Sequence, residues 1–152
     1  MQDSILDTLP SVPPTPAEPP SIALVRRDGT TLVASGQVAM ADGALVAHGL
    51  VGAEVDLTTA RHCAWQCARN LLGAVRAEVG SLEAVTAVKL TVYVATAPGF
   101  TDQHLVAHAA TELVHAVLGP ERGRHARAAI GVAALPLGSP VEVEGIFKVE
   151  ET

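Results

Sequence analysis

Val85-Thr86-Ala87-Val88-Lys89-Leu90-Thr91-Val92-Tyr93-Val94-Ala95 reads as one long strand with two unlike faces. Successive side chains of a strand point to opposite sides, so Val88, Leu90, Val92 and Val94 share one face and Lys89, Thr91 and Tyr93 the other. A helix is expected on either side of it in sequence. Upstream, Thr58–Val79 sets Ala60, Cys63/Ala64, Cys67/Ala68, Leu71/Leu72, Val75 and Val79 at a spacing near ~3.6 residues. Asp56 or Thr58 can cap its start and Gly80 its end. Downstream, about Asp102–Leu118 carries Leu105/Val106, Ala109/Ala110, Leu113/Val114 and Val117/Leu118 as a second stripe, with Gly119-Pro120 expected to stop it.

The outer segments read as short strands. Ile22–Arg27 and Thr30–Ala34 flank Asp28-Gly29, a hairpin signal. Ala44–Ala47 follows a second turn at Asp42-Gly43. Between them Ser35-Gly36-Gln37 breaks the second strand with a glycine, which marks a bulge or a close approach to the backbone. Two closing strands, about Ala126–Ala134 and Val141–Glu150, complete the order β-β-β-α-β-α-β-β. Two amphipathic helices can cover one face of such a sheet, which predicts a two-layer α+β domain with a single mixed sheet over residues 21–152.

The other sheet face is left bare. If the larger apolar sets meet the helices (Ala126, Ala128, Ile130, Val132 and Ala134 in one closing strand; Val141, Val143, Gly145 and Phe147 in the other), the bare face shows Arg127, Glu142, Glu144, Lys89, Thr91 and Tyr93. Such a mixture suits neither a core nor an ordinary wet surface, and a closed symmetric oligomer is an economical way to cover it.

Composition narrows the function. The chain has 152 residues and a net charge of -6, half of it from Asp3, Asp7 and Glu18 in the first twenty residues. That segment also holds six of the ten prolines, which excludes helix and central strand, so residues 1–20 are expected to form an extended acidic arm. A surface made for nucleic-acid phosphates should be basic, and single-strand binders stack bases on aromatics. Here the aromatics are Trp65, Tyr93, Phe100 and Phe147, so DNA is excluded as a partner and RNA disfavoured. No run reaches the ~20 apolar residues of a membrane span, and the start lacks a signal-peptide layout. Cys63 and Cys67 lie four apart on the apolar helix stripe, which suits core thiols in a reducing, cytoplasmic protein.

Arg127 stands among alanines. A half-buried guanidinium needs an anion, and its planar fork matches a carboxylate at two points. That anion is either an internal one, Glu142 or Glu144, or a ligand. Arg122, Arg124, His125 and Arg127 form a local basic patch that is either a solvated loop or a field drawing anions in. His125 fits equally a pocket acid/base and a packed turn residue. His104 and His108 have a metal-compatible spacing, but no carboxylate or Cys completes the set, so they and His115 are expected to face solvent, with no metal.

The segment Gly123-Arg124-His125-Ala126-Arg127-Ala128-Ala129-Ile130-Gly131-Val132-Ala133-Ala134-Leu135-Pro136, followed by Val141-Glu142-Val143-Glu144, resembles the C-terminal signature of the RidA/YjgF family of imine/enamine deaminases, also labelled endoribonuclease L-PSP. Ser35-Gly36-Gln37, Asn70-Leu71-Leu72 and Val88–Val94 resemble its earlier motifs in the same order, over about residues 22–150. Gly-Arg-His-Ala-Arg together with Phe100-Thr101-Asp102-Gln103 is similar to the family's divergent chorismate-mutase-like branch. The resemblance implies a chorismate-mutase-like fold, a homotrimer with clefts between subunits, and no cofactor. It also implies roles: Arg127 grips the substrate carboxylate, Glu142 activates water, and Gly36 lets backbone approach the ligand. Tyr93, His104, His125 and Ala129 join them around the substrate. His104 stands where the deaminases carry an Asn, Ala129 where they carry a Cys or Ser, and their Gly-Pro-Tyr motif is replaced by the proline-rich arm.

Three functions follow as expectations. The first is hydrolytic deamination of small 2-imino acids to 2-keto acids and ammonia. The second, favoured by the missing Tyr and the Asn-to-His change, is a non-catalytic regulatory trimer that binds small carboxylates. The third is RNA cleavage or translation inhibition, against which the acidic balance counts.

Overall fold

The computed structural model describes residues 21–150; the proline-rich arm expected over 1–20 lies outside the described residues. The strands are β1 (Val25–Asp28), β2 (Thr31–Val38), β3 (Met40–Ala41), β4 (Ala44–Leu45), β5 (Val85–Ala95), β6 (Ala126–Val132) and β7 (Val141–Val149). The helices are α1 (Leu57–Val79) and α2 (Gln103–Arg122), and a 3₁₀ turn spans Pro136–Gly138. The main sheet has five strands in the order β1-β2-β7-β5-β6; β5 and β6 run parallel and the other neighbours antiparallel. Both helices pack on one face of it, the two-layer α+β arrangement read from the pattern.

Two departures have local causes. The Ala44 strand stays out of the main sheet and pairs with Met40–Ala41, because Asp42 (φ 51°) and Gly43 (φ 80°) make a tight two-residue turn that folds it back at once. The second helix continues past Gly119-Pro120. Gly119 leaves helical geometry at φ 83°, but proline is well placed to begin a new turn, and Arg122 anchors that turn by donating to the carbonyls of Leu82, Glu83 and Val85. Arg122 is therefore tied into the loop before β5 and does not belong to a free basic patch.

The core lies between α1, α2 and the sheet. Cys63, Cys67, Leu71 and Val75 of α1 and Val106, Ala110 and Val114 of α2 meet Leu32, Leu90, Val92, Val94, Val143 and Phe147, all fully buried. Burial lifts the Cys63 thiol to about 11 and raises the Cys67 thiol well above its ordinary range, and the Cys67 thiol donates to the Val141 carbonyl. These are inert packing thiols. Val88 does not join Leu90 on the core side. A bulge between Ala87 and Lys89 inserts one residue opposite β7 and turns Val88 outward, 38% exposed.

The cap of α1 gives a first prediction. Asp56 Oδ1 accepts from the Thr59 amide at 2.7 Å, and that bond holds its carboxyl below the ordinary range. Asp56→Ala should lower the urea midpoint of unfolding, whereas Asp56→Asn, which keeps the acceptor, should retain most of it. A depressed carboxyl stabilises above its unfolded pKa and loses that contribution as pH falls. The gap between Asp56 and Ala should therefore close in acid.

Candidate functional site

The parallel register of β5 and β6 decides where Arg127 points. Arg127 pairs with Leu90, Ala129 with Val92 and Gly131 with Val94, so these three lie on the helix side of the sheet. Ala126, Ala128 and Ile130 pair with Lys89, Thr91 and Tyr93 on the bare side. The expected orientation of β6 is thus reversed. The cause is close packing: α2 approaches the edge strand so nearly that a Cβ on Gly131 would lie 2.8 Å from Gln103 Nε2, and small residues are what that side requires. The larger Ile130 is turned out, 42% exposed.

Arg127 therefore emerges at the open edge of the sheet, beneath α2. Its Nη1 donates to Thr111 Oγ1 at 3.0 Å. Among the described residues no carboxylate pairs with it; the ion pair seen there joins Arg61 to Glu112 on the other flank of α2. The internal rescue by Glu142 or Glu144 is ruled out by topology, since both stand on the opposite face and on β7, which β5 separates from β6. Partial burial pulls the guanidinium below its ordinary range without discharging it. Among the described residues the bond to Thr111 engages one of its five N–H donors, which leaves four.

His125 completes this edge. Its Nδ1 lies 2.6 Å from the Gly123 carbonyl, which can only accept, so Nδ1 carries the proton. Its Nε2 lies 3.2 Å from Thr111 Oγ1. Burial first, then the nearby His115 and Arg127 charges, outweigh the Gly123 bond and hold its pKa below 6.5, so the ring is neutral at neutral pH. Thr111, absent from the sequence reading, is the hub joining these two residues. One signal could have found it: His104, His108, Thr111 and His115 are spaced i, i+4, i+7 and i+11 and form one stripe of α2. The three histidines of that stripe are exposed, with His104 and His108 ring centroids 5.9 Å apart and His115 5.8 Å from His125. Among the described residues no His/Cys/Asp/Glu cluster could hold a metal.

The bare face carries the second half of the candidate constellation. Glu142 stands on β7 opposite Tyr93 and Val38. A bulge between Ala34 and Gln37 brings Gly36 against it: a Cβ there would overlap the Glu142 carboxylate, 2.8 Å from its Cδ. The strand glycine thus marks both a bulge and a close approach, here to a side chain of its own sheet. Burial, then the Glu144 charge, raises the Glu142 carboxyl above 4.5. Tyr93 donates its hydroxyl to Glu144 Oε1 at 2.9 Å and is committed to that acid. Ala129 is half-buried against the core, and His104 makes no hydrogen bond to Arg127. Asn70 of α1 is a framework residue, donating to the carbonyls of Val38 and Met40.

The raised Glu142 carboxyl gives a second prediction. A carboxyl whose folded pKa exceeds its unfolded one binds more protons when folded, so stability falls as pH rises through that range. Glu142→Gln should raise the melting temperature at neutral pH, and the gain should vanish on acidification toward pH ~4. Thermal unfolding at several pH values reads this directly.

The family model described as Endoribonuclease L-PSP matches residues 14–149. Protein TCP17 of Trypanosoma cruzi is 39% identical over 122 residues, spanning 80% of this chain and 76% of that protein. Among solved structures, the Agrobacterium tumefaciens protein Atu1372, of unknown function, is similar at 40% identity and a TM-score of 0.83, covering 85% of this chain and 82% of that one. RidA from the Antarctic bacterium Psychrobacter sp. PAMC 21119 is similar at 28% identity and a TM-score of 0.59, covering 88% and 93%. With a family model over most of its length and these neighbours, the chain belongs to the RidA/YjgF family, the family described as endoribonuclease L-PSP.

Proposed function

We propose that the chain hydrolyses small, reactive 2-imino acids, and their enamine tautomers, to 2-keto acids and ammonia at a cleft between copies of itself. The observation that carries this reading is the Arg127 guanidinium at the sheet edge, with donors to spare and, among the described residues, no carboxylate paired with it. Such a group is suited to a small organic acid gripped at two points. Within one copy Arg127 and Glu142 lie on opposite sides of the sheet, so they act on one substrate only if Arg127 of one copy meets Glu142 of another. The bare face supports that arrangement: Val33, Val88 and Ile130 are exposed there among Glu142, Glu144 and Lys89, an apolar patch that another copy would cover. A homotrimer with three equivalent clefts satisfies both needs.

The chemistry is a water addition. Anchoring the carboxylate fixes the adjacent C=N carbon, which is mainly orientation catalysis. Glu142 takes a proton from water as its oxygen bonds to that carbon and passes that proton to nitrogen; it then takes the proton of the new hydroxyl and delivers it to nitrogen as the C–N bond breaks, leaving the keto group and ammonia, which takes a further proton from solvent. A carboxyl with a raised pKa is better matched to this two-way traffic than an ordinary one. The reaction as written needs neither metal nor organic cofactor.

The test is release of 2-keto acid and ammonium from a 2-imino acid generated in situ by an amino-acid oxidase. Acceleration over buffer that scales with protein supports the reading. Saturable binding of 2-ketobutyrate without acceleration would select a regulatory carboxylate-binding protein instead, the reading favoured by the missing Tyr and by His104. Cleavage of RNA by the purified chain, lost on Arg127→Ala, would select the nuclease.

A further inference from the structure

The side chains of Arg127, Thr111 and His125 form a continuous hydrogen-bonded chain across the junction of α2 and β6. Its polarity is fixed at one end. The Gly123 carbonyl claims the proton on His125 Nδ1, so in the neutral ring Nε2 is bare and can only accept. The Thr111 hydroxyl must then donate its one proton to Nε2 while its oxygen accepts from Arg127. A second proton on the ring reverses the first link. Nε2 becomes a donor, Thr111 Oγ1 accepts from both sides, and its own hydroxyl proton is freed.

We propose that Thr111 is a positioning residue through which protonation of His125 strengthens the grip of Arg127 on a small carboxylate. This rests on Arg127 being the anchor for that carboxylate, as argued above. When His125 takes up a proton, the released Thr111 hydroxyl becomes an additional donor beside the guanidinium. Proton and anion then bind cooperatively, and each raises the affinity of the other by the same factor. The groups around His125 fit such a device. His115 faces it from α2 and Arg127 from β6, and both resist its protonation until an anion arrives to offset them. Arg124 precedes it in the turn, exposed, and Lys89 of β5, the partner of Ala126, belongs to the other face of the sheet. No carboxylate among the described residues bonds to His125 and holds it protonated beforehand.

The experiment is calorimetric titration of the full chain with 2-ketobutyrate between about pH 5 and pH 8, each point in two buffers of different ionisation enthalpy. The parent protein should bind about tenfold more tightly at the acid end and take up protons on binding. His125→Gln, whose amide can still meet Thr111 but does not titrate, should bind with an affinity that varies less than about twofold over the range. Thr111→Ser should behave as the parent. Thr111→Val should bind more weakly in acid and lose most of the proton uptake. Full pH dependence retained in His125→Gln would place the titrating group elsewhere on the α2 histidine stripe and overturn the proposal. Full proton uptake in Thr111→Val would overturn the role of the hydroxyl. Absence of binding by the parent at every pH would instead remove the anchor role of Arg127, a different failure from binding that ignores pH.

Discussion

Arg127→Ala is expected to weaken binding of a small 2-keto acid by about 10²-fold or more, and to lower turnover of a 2-imino acid at least as far, with the melting temperature nearly unchanged. The magnitude follows from the donors left open. A two-point guanidinium–carboxylate grip comprises two charge-assisted hydrogen bonds of ~1.5–3 kcal/mol each, so losing both removes ~3 kcal/mol or more. Stability should hold because the side chain's internal commitment is a single bond to Thr111, and alanine is already the neighbour on both sides. Arg127→Lys should recover only a fraction, because an ammonium supplies charge without the planar fork. Calorimetric binding of 2-ketobutyrate alongside thermal unfolding separates the two effects. An unchanged affinity in the alanine variant would show that the carboxylate is held somewhere else.

How far the sequence led depends on how much contrast each segment carries. β5 and β7 alternate large apolar with polar or charged residues, so burial of one face has a single solution, and Leu90, Val92, Val143 and Phe147 lie where the pattern puts them. α1 has a clean stripe and a capping Asp56. β6 offers no such contrast. Ala-Arg-Ala-Ala-Ile-Gly-Val differs between its faces by a few methyl groups, and the bulkier face was a poor guide because α2 packs against the small one. The orientation matters for function: it separates Arg127 from Glu142 within one copy and moves the proposed anion-binding half of the site from the bare face to the edge of the sheet. Thr111 was illegible for a different reason. A threonine within a helix stripe gives no signal of its own, and its role exists only because Arg127 and His125 converge on it from residues sixteen and fourteen positions away. Gly36 was legible, since a glycine inside a strand marks a bulge or a close neighbour; which neighbour was a matter of register.

That register makes Gly36→Ala the sharpest probe of the other half of the site. A methyl group at this position would overlap the Glu142 carboxylate and lie 2.8 Å from its Cδ, closer than real Cβ atoms come. The obstructing atoms are the end of a flexible side chain, so the strand can keep its place while Glu142 swings to another rotamer at small cost to stability. The carboxylate cannot then stay where it is. Displacement of a catalytic group by about 1 Å can cost ~10²-fold in rate, and a fall of that order in kcat is expected. Carboxylate binding should survive, because Arg127 and Thr111 project from the opposite side of the sheet and β6 is separated from β7 by β5. Gly36→Ala should thus lose kcat with little change in 2-ketobutyrate affinity, the reverse of the emphasis in Arg127→Ala. Glu142→Gln should match it in kcat while exceeding it in thermal stability at neutral pH, since one variant moves a charge and the other removes it. Parental turnover in Gly36→Ala would mean that the work is done by a carboxylate other than Glu142, and Glu144, held by Tyr93, is the neighbour to which the search would pass.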